Sequence, residues 1–331
     1  MIIRPPFYSP LQIVGGKLWD CSFTQGAALG YYIMPFQGED QPPLYSPLLR
    51  RGEGRGAEME RDFLHTTLGN TGLQVHRVGL STTYRPGKKV VYKALDAGVN
   101  YFFAFGIDTQ VIKVLREVIR QDRDKYVIAT GAYNLLIGHP NLRRSLEKRL
   151  HQFRTDYIDI FMYLGVTKGK QLTDDILEQF ARFKEEGKIR ATGMSTHDRK
   201  FAGKMCAEGK LDTVMMRYNA AHRGAEQDIF PYLEAHHPGV ISFTATRWRY
   251  LMRQPKGYPK EGRIPTAGEC YRFVLSNPHV HVCMMAPMNI KQFESNLQEI
   301  QKGPLNEEDL EFMRKFGDIV HYKKHYFMGG T

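Results

Sequence analysis

The chain has 331 residues, 42% hydrophobic and 24% charged, with a formal net charge of +11; this is the make-up of a soluble globular protein with room for one large core or two small ones. Its four cysteines (Cys21, Cys206, Cys270, Cys283) are widely spaced, which argues against a metal knuckle or a disulfide framework and for a reducing, cytoplasmic setting. No apolar run nears the roughly 20 residues of a membrane span, the N-terminus lacks signal-peptide order, and Lys and Arg are mixed with Asp and Glu along amphipathic segments, so the positive charge reads as a solvated surface rather than a nucleic-acid or membrane footprint.

Residues 1 to about 60 carry frequent breakers ("RPPFYSPLQ", "PFQGEDQPPLYSPLLRRGEGRG") and no sustained period, so an irregular extension is expected, followed by a folded domain over 61–331. Tyr8-Ser9-Pro10-Leu11 recurs as Tyr45-Ser46-Pro47-Leu48; chance in Pro-rich sequence and a docking motif for a protein partner both account for it. Next, "FLHTTLGNTGLQVHRVGLST" holds Asn70-Thr71-Gly72 between two alternating runs, a hairpin signal over 63–78. Apolar strand runs then follow at Val78–Thr82, Tyr101–Phe105, Tyr126–Ala132, Tyr157–Leu164, Ile189–Ser195, Thr213–Asn219, Gly239–Ala245 and His281–Pro287. Helical periods lie between them: "KKVVYKALDAG", "TQVIKVLREVIRQ", "LRRSLEKRLHQF", "DDILEQFARFKEEG", "AEQDIFPYLEAHH" and "NIKQFESNLQEIQ", with a closing helix near "NEEDLEFMRKFGDIVH". Eight strand–helix units in about 250 residues predict an α/β fold of the (β/α)8 TIM-barrel type, whose active site lies on the loops after the strands. A doubly wound sheet is the weaker alternative, since no G-x-G-x-x-G follows a strand.

The runs "LGNTGLQVHRVGLST", "ALDAGVNYFF", "LRRSLEKRLHQFRTDYIDIF", "EEGKIRATGMSTH" and "MMRYNAAHRGAE" resemble the aldo-keto reductases over about Leu68 to Val320. The resemblance implies an NAD(P)H-dependent carbonyl reductase with a tetrad of Asp, Tyr, Lys and His, in which the phenol donates a proton while the nicotinamide donates hydride. A phenol of pKa about 10 needs such neighbours to act as an acid at neutral pH. Matched position by position, the tetrad is replaced by Phe103, Phe105, Gly131 and Leu164. Tyr133 shares the strand face of Gly131 and is a candidate replacement acid as well as a candidate loop cap, whereas Tyr163 is expected to face the helix layer.

For the cofactor, the resemblance implies contacts from Ser195 and Thr196 to the nicotinamide amide and a stacking ring at Phe243. A family Gln is Met215, a phosphate-binding Arg is Met288 beside Asn289, and the pair near the adenine survives as Gln292 and Asn296. Arg247 in "FTATRWRY" offers a planar cation to a pyrophosphate or lies at the surface beside Trp248. His197 and His222 follow strands at the functional end, as acid–base candidates or hydrogen-bonded loop residues. Three functions are compatible with these residues: a divergent reductase homologue that keeps its nicotinamide cofactor, a non-reductase enzyme that takes an unknown small-molecule substrate at the barrel mouth, and a non-catalytic binding barrel.

Overall fold

At Gly69–Thr71 a single 3-10 turn, ended by Gly72 in the left-handed region (φ 71°), folds His65–Thr67 (β1) back onto Gln74–His76 (β2) as an antiparallel hairpin. This computed structural model describes residues 62–83, 85–105, 110–133 and 140–322; the extension expected over residues 1–60 lies outside the described residues. The hairpin covers the end at which the barrel strands begin. Asn70 donates from its backbone N–H and from its side chain to the carbonyls of His237 and His236, just before the strand at Gly239.

The eight predicted strand runs are eight parallel strands, with ends moved by one or two residues: Val78–Ser81 (β3), Tyr101–Phe103 (β4), Val127–Tyr133 (β5), Ile158–Val166 (β6), Ile189–Thr196 (β7), Thr213–Arg217 (β8), Gly239–Phe243 (β9) and Val282–Met285 (β10). They close in the order β10-β3-β4-β5-β6-β7-β8-β9, so the doubly wound alternative falls. Period-two alternation sorts the side chains. Phe102, Ile128, Phe161, Tyr163, Met194, Val214, Met216, Val240 and Cys283 pack into the helix layer. The alternate set fills the barrel: a Cβ at Gly79 would meet Tyr101, Met284 and Val282 within 3.0 Å, which leaves room there for glycine alone.

Helices follow the strands at Lys88–Asp96 (α1), Gln110–Val118 (α2), Leu142–Phe153 (α3), Asp174–Glu185 (α4), Arg199–Ala207 (α5), Ala225–Asp228 (α6), Ala267–Ser276 (α7) and Ile290–Ile300 (α8), and Glu307–Tyr322 (α9) closes the described chain. The helical period expected over 225–237 is cut short. After α6 only a 3-10 turn, Phe230–Tyr232, continues, because Pro231 has no N–H to donate and its ring obstructs the preceding turn. At the base of β6 the fully buried carboxylate of Asp159 accepts from Arg123, Arg190 and the backbone N–H of Ile128 at 2.8 to 3.2 Å, which ties β5, β6 and β7 together. Among the described residues no helix is long and apolar enough to cross a membrane.

Candidate active site

At the C-terminal ends of β4, β5 and β6 the mouth has an apolar wall. Phe103 pairs in register with Ala129, and two residues further along β5 Gly131 pairs with Met162 and Tyr133 with Leu164. Phe103 and Phe105 pack with ring centroids 5.0 Å apart, and both are buried, as is Leu164. Gly131 is tightly enclosed: a Cβ there would lie 2.1 Å from the carbonyl oxygen of Met162 and 2.9 Å from Leu164 Cγ. The residues at the four positions expected for the tetrad therefore lie on, or in the case of Phe105 just after, three adjacent strands, and none offers an ionisable side chain.

Tyr133 and Tyr163 separate as alternation requires. Tyr163 is in the helix-layer core. The ring of Tyr133 lies over Gly165, whose φ of +77° takes up a register shift between β6 and β7. Burial pushes the Tyr133 phenol above its ordinary pKa, so its surroundings make it a poorer acid than a free phenol.

The opposite half of the mouth is polar. Ser195 pairs in register with Met215, and Phe243 with Arg217, so Ser195 on β7, Arg217 on β8 and Phe243 on β9 are brought to one side. The Ser195 side chain is buried, yet among the described residues its hydroxyl has no hydrogen-bond partner. Next to Phe243, the hydroxyl of Thr244 is buried without a partner, on a residue held at φ +60°. The Thr196 hydroxyl donates to Val166 O at 2.9 Å and accepts from the backbone N–H of Asp198 at 2.9 Å, so it braces the turn after β7.

His197 packs edge-on against Phe243, centroids 5.7 Å apart, and burial together with the Arg217 charge lowers its pKa to about 4. It is therefore neutral at neutral pH. His222 closes a backbone bridge with Asn219, its ring nitrogen 3.3 Å from that side-chain oxygen, and meets His321 of α9 edge-on at 5.2 Å. Arg247 is not at the surface: it is 3% exposed, and its guanidinium donates to the carbonyl of Val320, tying the loop after β9 to α9. Asn289 caps α8 by accepting from Gln292 N–H at 2.9 Å, Gln292 accepts from Met288 N–H at 2.9 Å, and Asn296 donates to Met285 Sδ at 3.4 Å. These three residues lie at the head of α8, beside the end of β10.

Arg217 was not singled out from the sequence. The signal was present, since Arg217 lies two residues beyond Met215 and so shares its inward face. It was masked because an Arg at a strand end ordinarily reads as solvent-facing.

A family model described as the aldo/keto reductase family matches residues 74–247. The chain belongs to the aldo/keto reductase family. It is 22% identical over 306 residues to the uncharacterized oxidoreductase YqkF of Bacillus subtilis, across 78% of this chain and 98% of that protein. It is also 25% identical over 193 residues to aldo-keto reductase YhdN of the same organism, across 51% of this chain and 57% of that one. Among solved structures, aldo-keto reductase AKR11C1 from Bacillus halodurans superposes with a TM-score of 0.65 in its holo form and 0.62 in its apo form, at 20% identity and covering 79% of this chain and 98% of that one. At that identity the likeness is one of fold.

Proposed function

We propose that this family member binds a nicotinamide cofactor at the β7–β9 side of its barrel mouth and has lost the family's proton-donating tetrad. Three polar side chains without hydrogen-bond partners among the described residues stand at neighbouring strand ends on this side of the mouth: Arg217 pairs in register with Phe243, Thr244 follows Phe243, and Ser195 lies near the end of the adjoining β7, and this observation carries the reading. The Thr244 hydroxyl, sealed from solvent, costs free energy unless something bonds to it, and a ligand with an aromatic face and hydrogen-bonding edges supplies a partner to it and to the less enclosed Ser195 and Arg217. A nicotinamide ring has both. When bound, such a cofactor supplies hydride.

The residues of the chain then divide the work. Phe243 offers a face for stacking, and Ser195 offers a hydroxyl to the amide. Asn289, Gln292 and Asn296 are available to the adenine end once their present bonds to Gln292 N–H, Met288 and Met285 are exchanged. Phe103, Phe105, Gly131 and Leu164 exclude water from the opposite wall without supplying a proton. A positioned acid contributes about 10² to 10⁴ in rate, and the candidate phenol at this wall, Tyr133, is shifted away from acidity. Cofactor oxidation is to be followed over a panel of aromatic and aliphatic aldehydes, with Tyr133→Phe alongside. The expected result is saturable cofactor binding with at most trace turnover. Robust turnover that Tyr133→Phe abolishes would make Tyr133 the acid, and robust turnover that it leaves intact would mean that the acid lies elsewhere.

A further inference from the structure

We propose that Arg217 is the anchor for an anionic group, a carboxylate or a phosphate, of the ligand that this barrel mouth takes. This goes beyond the cofactor reading and stands without it, because the anion can belong to the substrate. Arg217 ends β8 next to Phe243 of β9 and is half-buried. Among the described residues it makes no hydrogen bond and no ion pair. The neighbouring arginines do have structural employment: Arg199 pairs with Asp228 at 2.7 Å, and Arg247 donates to Val320 O.

The other groups that bear on Arg217 are cationic or neutral. The charges of Arg199 and Arg247 oppose its own, and His197 and His321 both feel it. Burial, with those two arginines, lowers the Arg217 pKa to about 10, so the guanidinium is still charged at neutral pH and holds a positive potential at the mouth. A half-buried cation set among cations and left without a partner destabilises the empty fold. Such strain is kept where a ligand relieves it. The planar fork of Arg suits a carboxylate or phosphate held by two parallel hydrogen bonds. The buried Phe103, Phe105 and Leu164 belong to β4 and β6 and the chain just after β4, and β4 lies across the barrel from β8, so a substrate anion would come on an apolar body.

The test is calorimetric titration of the full chain and of its Arg217→Gln and Arg217→Lys variants with NADH, inorganic diphosphate, phenylacetate and the neutral probe benzyl alcohol. Loss of one charge-assisted pair corresponds to roughly tenfold to hundredfold weaker binding. Arg217→Gln is expected to weaken one class of anion by that factor while sparing benzyl alcohol, and Arg217→Lys to retain part of the affinity. Parallel weakening of NADH and diphosphate assigns the anion to the cofactor, and weakening of phenylacetate alone assigns it to the substrate. If the wild-type chain binds phenylacetate through Arg217 but no NADH, the cofactor reading fails and this one stands.

Ligand-free Arg217→Met is expected to melt a few degrees higher than the wild type, since it removes an unpaired cation. Anion affinities that are equal in all three proteins, no anion binding by the wild type, or a lowered melting point for Arg217→Met with anion binding unchanged would overturn the proposal.

Discussion

Gly131→Ala is expected to destabilise the barrel although it adds one methyl group. The new Cβ would lie 2.1 Å from the carbonyl oxygen of Met162, a backbone atom of the neighbouring strand, and 2.9 Å from Leu164 Cγ. The first contact is more than roughly 1 Å inside van der Waals distance, and β5 and β6 must separate to relieve it. Overpacking of this kind typically costs about 1–3 kcal/mol, and the clash with paired backbone puts Gly131→Ala at the upper end. The entropy that alanine removes from the unfolded chain offsets only about 0.4–1 kcal/mol. A net loss of about 2–3 kcal/mol remains, which in a domain of this size lowers the melting midpoint by roughly 5–10 °C. Differential scanning calorimetry measures it. Adding Leu164→Ala relieves the side-chain contact but not the carbonyl contact, so the double variant is expected to recover little of the loss. A wild-type midpoint for Gly131→Ala, or full recovery in the double variant, would refute the reasoning. Gly131→Lys, which introduces the lysine that the resemblance implies for this position, is then expected to unfold the barrel rather than confer reductase activity.

Burial holds the imidazoles of His76, His197 and His281 at about 4, against an ordinary value of 6.5. The unfolded chain takes up protons between pH 6.5 and 4 that the folded barrel refuses, so stability falls as pH drops through that window; urea midpoints at pH 7.5 and pH 5 check this, and equal midpoints would contradict it. Asp159→Ala leaves the Arg123 and Arg190 charges and the Ile128 N–H without their shared acceptor, at an expected cost of about 3–5 kcal/mol in urea unfolding. Arg247→Ala cuts the tie to Val320, and faster amide exchange over 307–322 than in the barrel strands is the expected outcome. If exposed, uncharged Met288 stands where the resemblance implies a phosphate-binding arginine, calorimetry is expected to show little preference for NADPH over NADH, since one charge-assisted hydrogen bond of about 1.5–3 kcal/mol is missing.

The strands were legible because barrel strands buried on both faces read as apolar runs of fixed length between helical periods. The hairpin was legible in Asn70-Thr71-Gly72, where glycine supplies the left-handed turn. Chain-local rules failed where distant backbone decides. The tight enclosure of Gly131 comes from the Met162 carbonyl, and nothing within β5 announces it. Arg247 in "RWRY" reads as a cation for a pyrophosphate or as a surface residue, yet Arg247, Trp248 and Arg249 all have positive φ, a turn that folds the first of them inward toward α9. The sequence shows that the Thr196 hydroxyl can bond, and only the folded turn shows Val166 and Asp198 as partners. Arg217 was overlooked for the converse reason: the absence of a partner is a property of the assembled mouth.

The measurement closest to the central claim is a titration of the purified full chain with NADH, set beside Phe243→Ala. The account predicts saturable one-site binding that Phe243→Ala weakens by roughly tenfold or more, the loss of about 0.5–1.5 kcal/mol of ring–ring interaction plus buried area. No binding by the wild-type chain, or binding indifferent to Phe243→Ala, would contradict it.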